Sequence, residues 1–381
     1  MADLKTAYLS LGSNLGDTLN NLQAAIFSIH NSVGRVQRIS PVYQSSSWGF
    51  ESDDFMNICI SVKTSLPPAK LLENLLDIET KMGRIRHQED GYRARSIDID
   101  ILYYERETLV SESLIIPHPE MCFRKFVLKP LADIAPQFYH PVVNKDTRNL
   151  IQECKDKGKL EKIPHRLYKS RDELFAHTNF IAIEGNIGAG KTTLAHKIAE
   201  DFNAKLVLER FADNPFLPKF YEDQSRYAFP LEMSFLADRY QQFTDDTSQY
   251  DLFKNFMVSD YDIYKSLIFA GVTLQQDEFK LYRKLFNLMY KEVKKPKIYV
   301  FLYQTTDRLL ENINSRGRDY EQNIQAEYLE KINRGYFEFI KGHPEQNKLV
   351  IELGDLDFVE REEDYEVIID KILKFAVRLP A

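Results

Sequence analysis

A phosphate-binding loop lies near the middle of the chain, with about half of the 381 residues in front of it. Residues 185–192 read GNIGAGKT and match the pattern G-x-x-x-x-G-K-[ST] at every position. An apolar run, Phe180–Ile183, precedes the loop, and a helix-like stretch, Thr193–Phe202, follows it. Because strand, turn and helix are the context that this pattern requires, we predict a nucleotide-binding unit here. Residues 1–160 must then fold separately, since a chain of this length can bury more than one core.

The residue types of the loop suit the phosphates of ATP. Glycines let backbone N–H groups turn inward around phosphate oxygens, and the N-terminus of the following helix adds partial positive charge. Lys191 can reach the β- and γ-phosphates, and the Thr192 hydroxyl can bind Mg²⁺. The residues of this half predicted to bind ATP are Gly185, Asn186, Ile187, Gly188, Ala189, Gly190, Lys191, Thr192 and Thr193.

Four more β-like runs follow the loop, with helical stretches between them. They are Lys205–Leu208, Phe256–Ser259, Lys297–Leu302 and Lys348–Leu353. Together with the run before the loop, they predict an α/β fold with a parallel five-stranded sheet covered by helices on both faces. Ligands of such sheets bind beyond the carboxyl ends of the strands. Glu209 directly follows the second run, where its carboxylate can accept a proton from an attacking hydroxyl.

Composition limits the kinds of partner that the chain can have. The net charge is −7, and acidic residues outnumber basic ones in both halves, which argues against a nucleic-acid binder. Three cysteines without a pairing pattern, no signal-peptide pattern and no apolar run of membrane-spanning length predict a cytoplasmic protein. Lysines and arginines crowd residues 156–177, so we predict a charged linker there between domains at 1–155 and 178–381.

Residues 178–381 resemble the deoxyribonucleoside kinase family along nearly their full length. The resemblance rests on GNIGAGKT, on E-x-x-x-x-N-P-F at Glu209–Phe216, on Tyr221, on PLEMSFLADR around Glu232, and on the lid-like RGRD-x-EQ that begins at Arg316. It implies phosphorylation of the 5′-hydroxyl of a deoxynucleoside by ATP with one Mg²⁺. A nucleoside monophosphate kinase is the alternative, and the Glu209 and Glu321 pattern argues against it.

The resemblance also implies individual roles. Glu209 would be the general base for the 5′-hydroxyl, and Tyr221 and Glu321 would hold the 3′-hydroxyl. Arg316 and Arg318 would close over the transferring phosphoryl group. Two further roles concern the nucleobase. Glu232 would read it, and Arg239, two helical turns further along the same helix, would approach it.

Two positions depart from the family pattern. The chain has Asp260-Tyr261 where the family has an acid followed by arginine, so Asp260 must act with another cation. Glu232 stands where the family has glutamine. An ionised carboxylate only accepts hydrogen bonds, which favours a base with an amino group: deoxyadenosine first, with deoxyguanosine and deoxycytidine open. The alternative is that Glu232 is an ordinary helix-surface residue and that the base is read elsewhere.

Aromatic residues crowd two helical stretches of this half, Tyr221–Tyr240 and Phe279–Tyr290. Such stripes need no ligand, and core packing or contact between subunits explains them. In the resembling family equivalent helices often pack between subunits, so a homodimer through the kinase domain is expected.

The strongest local pattern of the first half is Ser96–Tyr103, where polar and apolar residues alternate. The alternation places Asp98 and Asp100 side by side on one face of a strand. Two carboxylates so close repel each other unless a cation lies between them, and Mg²⁺ bound to polyphosphate is a natural candidate. The alternative is a solvent-facing edge strand. Four arginines precede the pair: Arg84, Arg86, Arg93 and Arg95.

Residues 6–150 resemble 6-hydroxymethyl-7,8-dihydropterin pyrophosphokinase. The motifs are the opening LGSNLG at 11–16, D-F-M-N at Asp54–Asn57, G-R-x-R at 83–86, R-S-I-D-I-D at 95–100 and P-H-P-x-M at 117–121. The resemblance implies an α+β ferredoxin-like fold and transfer of pyrophosphate from ATP to the pterin. The rival interpretation is a silent interaction module, which has no reason to keep paired carboxylates.

The roles implied for the first half fall into three groups. Two Mg²⁺ on ATP would be held by Asp98 and Asp100. The pterin would be bound by Phe55 and Phe126, which would stack on it, and by Asn57. The phosphates would be contacted by Arg84, Arg95, His118 and Arg124. Arg93 and Arg95 compete for one role, and Arg95 is favoured because it is nearer the aspartates.

Overall fold

The computed structural model describes residues 3–46, 53–84, 94–210, 214–248, 253–318, 321, 324–344 and 346–380. The chain divides into two compact units. One consists of Met1–Leu174 and Val377–Ala381, and the other of Phe175–Ala376.

The N-terminal unit is built on an antiparallel sheet. Its strands are β1 (Lys5–Ser13), β2 (Arg35–Ile39), β3 (Tyr43–Ser45), β4 (Phe55–Thr64), β5 (Asp98–Tyr104) and β8 (Leu160–Lys162), and a separate hairpin joins β6 (Leu109–Val110) to β7 (Ile115–Ile116). Its helices are α1 (Thr18–Ser32), α2 (Pro68–Lys81), α3 (Lys125–Ile134) and α4 (Thr147–Glu153). The strand order is β5-β1-β4-β3-β8, and β2 pairs with β4 beside β3.

Strand β4 lies inside this sheet and is buried on both faces. The Cys59 thiol contacts the Val127 carbonyl of α3 at 3.5 Å, so the odd-numbered residues face α3. Ile58, Ile60 and Val62 therefore face the opposite side, towards α1 and α2, and all three are completely buried. Burial on both sides explains why this strand is a nearly continuous apolar run.

The segment predicted as a charged linker is partly built into the N-terminal unit. Strand β8 pairs with β3 in antiparallel register, with Leu160 opposite Ser45. Further on, the Gln23 side chain bonds both the N–H and the carbonyl of Tyr168, at 2.9 and 2.7 Å. The structure thus differs from the expected solvated connector. The physical reason is that β3 would otherwise present an unpaired edge, which β8 covers while its charged side chains remain exposed.

The C-terminal unit contains the five-stranded parallel sheet that the apolar runs predict. Its strands are β9 (Phe180–Gly185), β10 (Lys205–Val207), β11 (Met257–Ser259), β12 (Ile298–Tyr303) and β13 (Lys348–Glu352), in the order β10-β11-β9-β12-β13. Helix α5 (Arg171–Thr178) spans the boundary between the two units. The helices that follow it are α6 (Lys191–Asp201), α7 (Leu217–Glu222), α8 (Gln224–Ser248), α9 (Lys265–Thr273), α10 (Gln276–Tyr290), α11 (Thr306–Arg316), α12 (Ala326–Gly342) and α13 (Glu362–Val377).

Strand β9 is the central strand, and each of its residues is buried. Helices pack against both faces of the sheet, which is why the strands are uniformly apolar rather than alternating. On one face, Phe180 and Ala182 pack with Phe243 of α8. Ile181 and Ile183 point to the other face, where both are fully buried, and α6 contacts β9 and β11. The phosphate-binding loop therefore leaves a rigid, fully packed strand.

In the part of the chain that the structure describes, no helix combines the length and the apolar character that a membrane crossing requires.

Candidate active sites

The phosphate-binding loop needs glycine at two positions for steric reasons. Gly188 and Gly190 have φ angles of 81° and 83°, a conformation that L side chains rarely adopt. A Cβ at Gly188 would lie 2.9 Å from the Leu309 carbonyl oxygen, and one at Gly190 would lie 2.6 Å from the Phe358 ring. Helix α6 begins directly after Gly190, so its first turn faces the loop. The loop can therefore present backbone N–H groups to an anion.

Two side chains of the loop are fixed by contacts within the unit. The Asn186 amide donates to the Leu329 carbonyl and to Asn333 of α12, at 2.8 and 2.9 Å, so it anchors the loop to that helix. The Lys191 ammonium donates to the Asn186 carbonyl at 2.8 Å. Burial and the neighbouring charge of Lys265 lower the pKa of Lys191 to about 8, although nearby carboxylates oppose this shift. Negative charge from a phosphate would favour the protonated form of this lysine.

Asp260 connects the loop to the end of β10. One carboxylate oxygen accepts the Thr192 hydroxyl at 2.5 Å, and the other accepts the Glu209 backbone N–H at 2.8 Å. Asp260 is buried. The Asp260 carboxylate thus links Thr192, which is predicted to bind Mg²⁺, to Glu209, the predicted general base.

Glu209 lies between two buried cations. Its Oε1 accepts two N–H groups of Arg239 at 2.7 Å, and its Oε2 accepts the Lys265 ammonium at 2.7 Å. Burial alone would raise the pKa of Glu209, but the charges of Lys265 and Arg239 outweigh it and hold that pKa far below its usual value. Glu209 is therefore ionised at neutral pH and can accept a proton.

Sequence reasoning did not identify Lys265 as a site residue. It is the first residue of α9, and Ser266 separates it from the apolar run Leu267–Ala270. A charged residue at the start of a largely apolar helix is the sequence signal that could have indicated it. Tyr261, which takes the place of the family arginine, packs in the hydrophobic core against Phe243. Lys265 thus supplies positive charge at Glu209, while the side chain of Tyr261 points elsewhere.

Arg239 was expected near the nucleobase, and the structure places its guanidinium between Glu209 and Ser266 of α9. Its guanidinium donates to the Ser266 hydroxyl at 2.9 Å and lies 4.6 Å from the centre of the Phe235 ring. It also lines the same pocket as Glu232. Arg239 therefore contacts the predicted general base, Glu209, and lines the same pocket as Glu232.

Glu232 lies in α8 and is 2% exposed. Its Oε1 accepts the Thr273 hydroxyl at 2.9 Å, whereas its Oε2 has no hydrogen-bond partner among the described residues. Burial raises the pKa of Glu232 to about 7, although the charge of Arg239 opposes the shift. An ordinary surface position, the alternative for this residue, does not fit such burial.

The lid arginines meet Glu321 in this structure. Arg316 and Arg318 each pair with the Glu321 carboxylate, the second at 3.3 Å, and Glu321 is buried. Tyr221 of α7 lies beside Phe220, with ring centres 5.4 Å apart. The neighbouring lid residues 319, 320, 322 and 323 lie outside the described residues, as do residues 211–213 between Glu209 and Phe216.

One pocket brings most of these residues together. The predicted residues that line it are Ile187, Gly188, Lys191, Thr192, Glu209, Tyr221, Glu232, Arg239, Asp260, Arg316, Arg318 and Glu321. Ala189, Gly190 and Thr193 line a neighbouring cavity with residues of α11. Phosphate-binding, acid–base and candidate base-reading groups thus share one concave site.

The N-terminal unit holds a second site on the face of the sheet that α3 covers. Gly12 of β1 lies between Asn57 of β4 and Asp98 of β5 in the strand register. A Cβ on Gly12 would be 3.4 Å from the Asn57 amide oxygen and 3.7 Å from Phe55. The missing side chain leaves space between the predicted pterin-binding residues and the predicted metal ligands. Gly12 was not predicted as a site residue, although it belongs to the opening motif.

Asp98 and Asp100 lie on one face of β5, opposite Gly12 and Ser10, as the alternation predicts. The strand is at the edge of the sheet, but both side chains are partly buried rather than solvent-facing. Burial and the charge of Asp98 raise the pKa of Asp100 to about 7, and Arg124 opposes the shift. A cation between the two would relieve this repulsion.

Arg84 and Arg95 both pair with Asp98, the first at 2.5 Å. Arg84 also pairs with Glu79 of α2, a buried residue that sequence reasoning missed. The same Glu79 oxygen accepts the Ile99 N–H at 2.8 Å. Glu79 therefore ties α2, Arg84 and β5 together. Arg93 lies outside the described residues.

The remaining predicted residues of this half surround the same face. The Asn57 amide donates to the Ser45 hydroxyl at 3.0 Å. His118 follows the cis peptide bond Ile116–Pro117, and burial and then the charge of Arg124 lower its pKa. Arg124 directly precedes α3, and Phe126 packs beside Cys59 in the core under that helix.

The fold and the two sites define a two-domain phosphotransferase. Family models match both units: the deoxynucleoside kinase model at residues 181–377 and the model of 7,8-dihydro-6-hydroxymethylpterin-pyrophosphokinase at residues 8–136. The chain therefore belongs to the deoxynucleoside kinase family in its C-terminal half and to the dihydropterin pyrophosphokinase family in its N-terminal half.

Individual relatives match one half each. A deoxyguanosine kinase from Bacillus subtilis is 39% identical over 50% of this chain and 93% of that protein. A 2-amino-4-hydroxy-6-hydroxymethyldihydropteridine pyrophosphokinase from Synechocystis is 41% identical over 39% of this chain and 75% of its own length. A solved deoxyadenosine kinase structure from M. mycoides is 25% identical, covers 51% of this chain and 99% of its own, and has a TM-score of 0.45.

Proposed function

We propose that the chain is a bifunctional ATP-dependent enzyme. The N-terminal domain transfers pyrophosphate from ATP to 6-hydroxymethyl-7,8-dihydropterin, and the C-terminal domain phosphorylates the 5′-hydroxyl of a purine deoxynucleoside. The observation that carries the second activity is the single pocket in which Lys191, Glu209 and Glu232 meet. The paired carboxylates of β5, with Arg84 and Arg95 on them, support the first.

In the kinase site the proposed reaction follows from the order of the groups. The 5′-hydroxyl of the nucleoside donates its proton to the Glu209 carboxylate while its oxygen attacks the γ-phosphorus of ATP, and ADP leaves. Lys191, Arg316 and Arg318 offset the charge on the transferring group. One Mg²⁺, which would link the phosphates and polarise them, would be held at Thr192 and Asp260, whose oxygens face each other. Glu321 and Tyr221 would hold the 3′-hydroxyl.

Lys265 is the proposed substitute for the arginine that the family has after the third strand. The ammonium is buried, pairs with Glu209 and lines the pocket beside Thr192 and Asp260. It can therefore orient Glu209 and stabilise the oxygen of the 5′-hydroxyl as the proton leaves. Its distance in sequence from Glu209 explains why no local motif indicates this role.

Replacing Lys265 by methionine should lower kcat for nucleoside phosphorylation roughly 10- to 100-fold, because a charge beside the reacting groups is lost. The pKa of Glu209 should rise without this cation, so the acid limb of the pH–rate profile should move to higher pH. Lys265→Arg should restore most of the rate, and the exposed Lys280→Met is the matched control. A profile that does not move in Lys265→Met would mean that the lysine only supports the fold.

In the N-terminal site the hydroxymethyl oxygen of the pterin attacks the β-phosphorus of ATP, and AMP leaves. Two Mg²⁺ would be held by Asp98 and Asp100 and would bind the phosphates of ATP. The residues fit these ions, because Asp98 and Asp100 lie on one face of β5 and Mg²⁺ typically uses one or two carboxylates with substrate phosphates.

The positions of the other residues in the N-terminal site suit their proposed roles. Arg84 and Arg95 steady the pyrophosphoryl group, and His118 and Arg124 contact the ATP phosphates. Phe55, Phe126 and Asn57 bind the pterin, next to the space that Gly12 leaves open. The order β-α-β-β-α-β of β1 to β5, with β2 and β3 as one interrupted strand, supports a ferredoxin-like fold for this domain.

Changing Glu79 to glutamine should lower kcat/KM for pyrophosphate transfer about 10-fold, because Arg84 loses one of the two charges that hold it. Glu79→Ala should in addition destabilise the fold by about 1–3 kcal/mol, since the buried Ile99 N–H loses its acceptor. The exposed Glu73→Gln serves as the control. Unchanged pyrophosphate transfer in Glu79→Gln would show that Arg84 is positioned by Asp98 alone.

Base choice rests on Glu232, which lines the pocket and whose Oε2 has no hydrogen-bond partner among the described residues. An exocyclic amino group can donate to it, which supports deoxyadenosine as the sequence-based preference, and the deoxyguanosine kinase relative makes deoxyguanosine the second candidate. The proposal also includes a homodimer through the kinase domain, since α10 leaves Leu281 and Leu288 on one exposed face. Light scattering of the full chain tests that part.

A substrate panel tests the proposed function directly. Four deoxynucleosides, their monophosphates and hydroxymethyldihydropterin are each incubated with ATP and the full-length chain. Phosphorylation of a purine deoxynucleoside and pyrophosphorylation of the pterin are expected. Turnover of monophosphates instead of nucleosides would replace the kinase proposal, and no product from the pterin would make the N-terminal domain an interaction module.

A further inference from the structure

The orphaned oxygen of Glu232 carries an inference about substrate choice that rests on the proposed nucleoside kinase. The side chain is 2% exposed, it lines the pocket, and its Oε2 has no hydrogen-bond partner within the described ranges. A buried polar atom without a partner costs about 1–3 kcal/mol unless a ligand satisfies it. The nucleobase end of the pocket is where such a ligand group would come from.

The neighbouring hydroxyl is compatible with two protonation states of this acid. Thr273 Oγ1 lies 2.9 Å from Glu232 Oε1 and 3.0 Å from the Phe269 carbonyl oxygen. A hydroxyl has one proton, so it donates to only one of these two acceptors. When it donates to Glu232 Oε1, that oxygen has its partner whether the acid is ionised or protonated. A proton carried by the acid then lies on Oε2, where it stays available to a ligand.

We propose that ionised Glu232 binds guanine and that protonated Glu232 binds adenine. The ratio of deoxyguanosine to deoxyadenosine phosphorylation then rises with pH. Guanine presents two adjacent donors, N1–H and N2–H, which match two carboxylate oxygens. Adenine presents one donor, N6–H, beside an acceptor nitrogen, and this pair matches the C=O and O–H of a carboxylic acid. Against a carboxylate, the adenine acceptor nitrogen would face a second acceptor.

The charged groups around Glu232 place this change near neutral pH. Burial raises the pKa of Glu232 to about 7, Arg239 and the Thr273 hydrogen bond lower it, Lys265 lowers it further, and Glu209 raises it. Arg239 and Lys265 are both paired with Glu209, whose negative charge offsets part of their effect on Glu232. The other titratable groups that line the pocket are Lys191, Tyr221, Asp260, Arg316, Arg318, Glu321 and Tyr328, and Tyr282 of α10 contacts the Glu232 carbonyl.

A competition assay tests the proposal. Equal amounts of both purine deoxynucleosides react with ATP and the full-length enzyme at several values from about pH 6 to about pH 8.5, and the two monophosphates are quantified together. Both substrates use the same phosphate and acid–base groups, so changes in those groups cancel in the product ratio. The ratio of deoxyguanosine to deoxyadenosine product should rise about 10-fold or more over this range.

Glu232→Gln is the matched control, because an amide offers one donor and one acceptor at every pH. Its product ratio should not change with pH. A flat ratio in the wild-type enzyme would overturn this inference while leaving the kinase proposal intact. Absence of both monophosphates at every pH would instead overturn the kinase proposal. Because the wild-type profile alone decides the question, a variant that fails to fold does not prevent the test.

Discussion

Glu209→Gln should lower kcat for nucleoside phosphorylation by on the order of 10²-fold or more, because the amide cannot take the proton of the 5′-hydroxyl. The same change leaves Arg239 and Lys265, both buried, without their shared carboxylate, so the thermal stability of the kinase domain should fall as well. Steady-state kinetics under saturating ATP and nucleoside, together with a thermal denaturation curve, measure the two effects separately.

Two comparisons keep this result interpretable. The exposed Glu222→Gln changes the same residue type at the end of α7 and should leave kcat unchanged. Pyrophosphate transfer by the same preparation should stay within about twofold, because effects at separate sites are independent. If Glu209→Gln turns over nucleoside at nearly the normal rate, Glu209 is not the base, and Asp260 becomes the candidate.

Asp98→Asn should lower pyrophosphate transfer to the pterin by about 10²–10³-fold, since the change removes a metal-binding charge and the anchor of two arginines. The measurement is AMP release from ATP in the presence of the pterin. Nucleoside phosphorylation should remain within about twofold. Asp77→Asn on the exposed side of α2 is the matched control.

A still-folded Asp98→Asn protein that loses both activities would show that the two sites depend on each other. Preserved AMP release would show that Asp98 does not hold the metal.

The elements that sequence predicts well are those with a local cause. The strands of the kinase domain are short, mostly apolar runs because helices cover both faces of the sheet, and each was predicted within a few residues of its observed bounds. Gly188 and Gly190 belong to a pattern whose backbone angles demand glycine. Glu209 and Asp260 lie at strand ends, where parallel sheets place their ligands.

The contacts that sequence does not predict are those made between distant segments. Lys265 reaches Glu209 across 56 positions, and Glu79 reaches the Ile99 N–H across 20. Strand β8 is rich in charged residues, and only the open edge of β3 gives it a place in the sheet. In each case the partner exists only after folding, so composition alone indicates a surface residue or a linker.

The most direct test of the central claim, two active sites in one chain, is a single reaction. Purified full-length protein is incubated with ATP, a purine deoxynucleoside and hydroxymethyldihydropterin, and ADP and AMP are quantified together. Two working sites predict both products, with AMP dependent on the pterin and ADP dependent on the nucleoside. Formation of ADP without AMP, from a protein whose N-terminal domain is folded, would contradict the account.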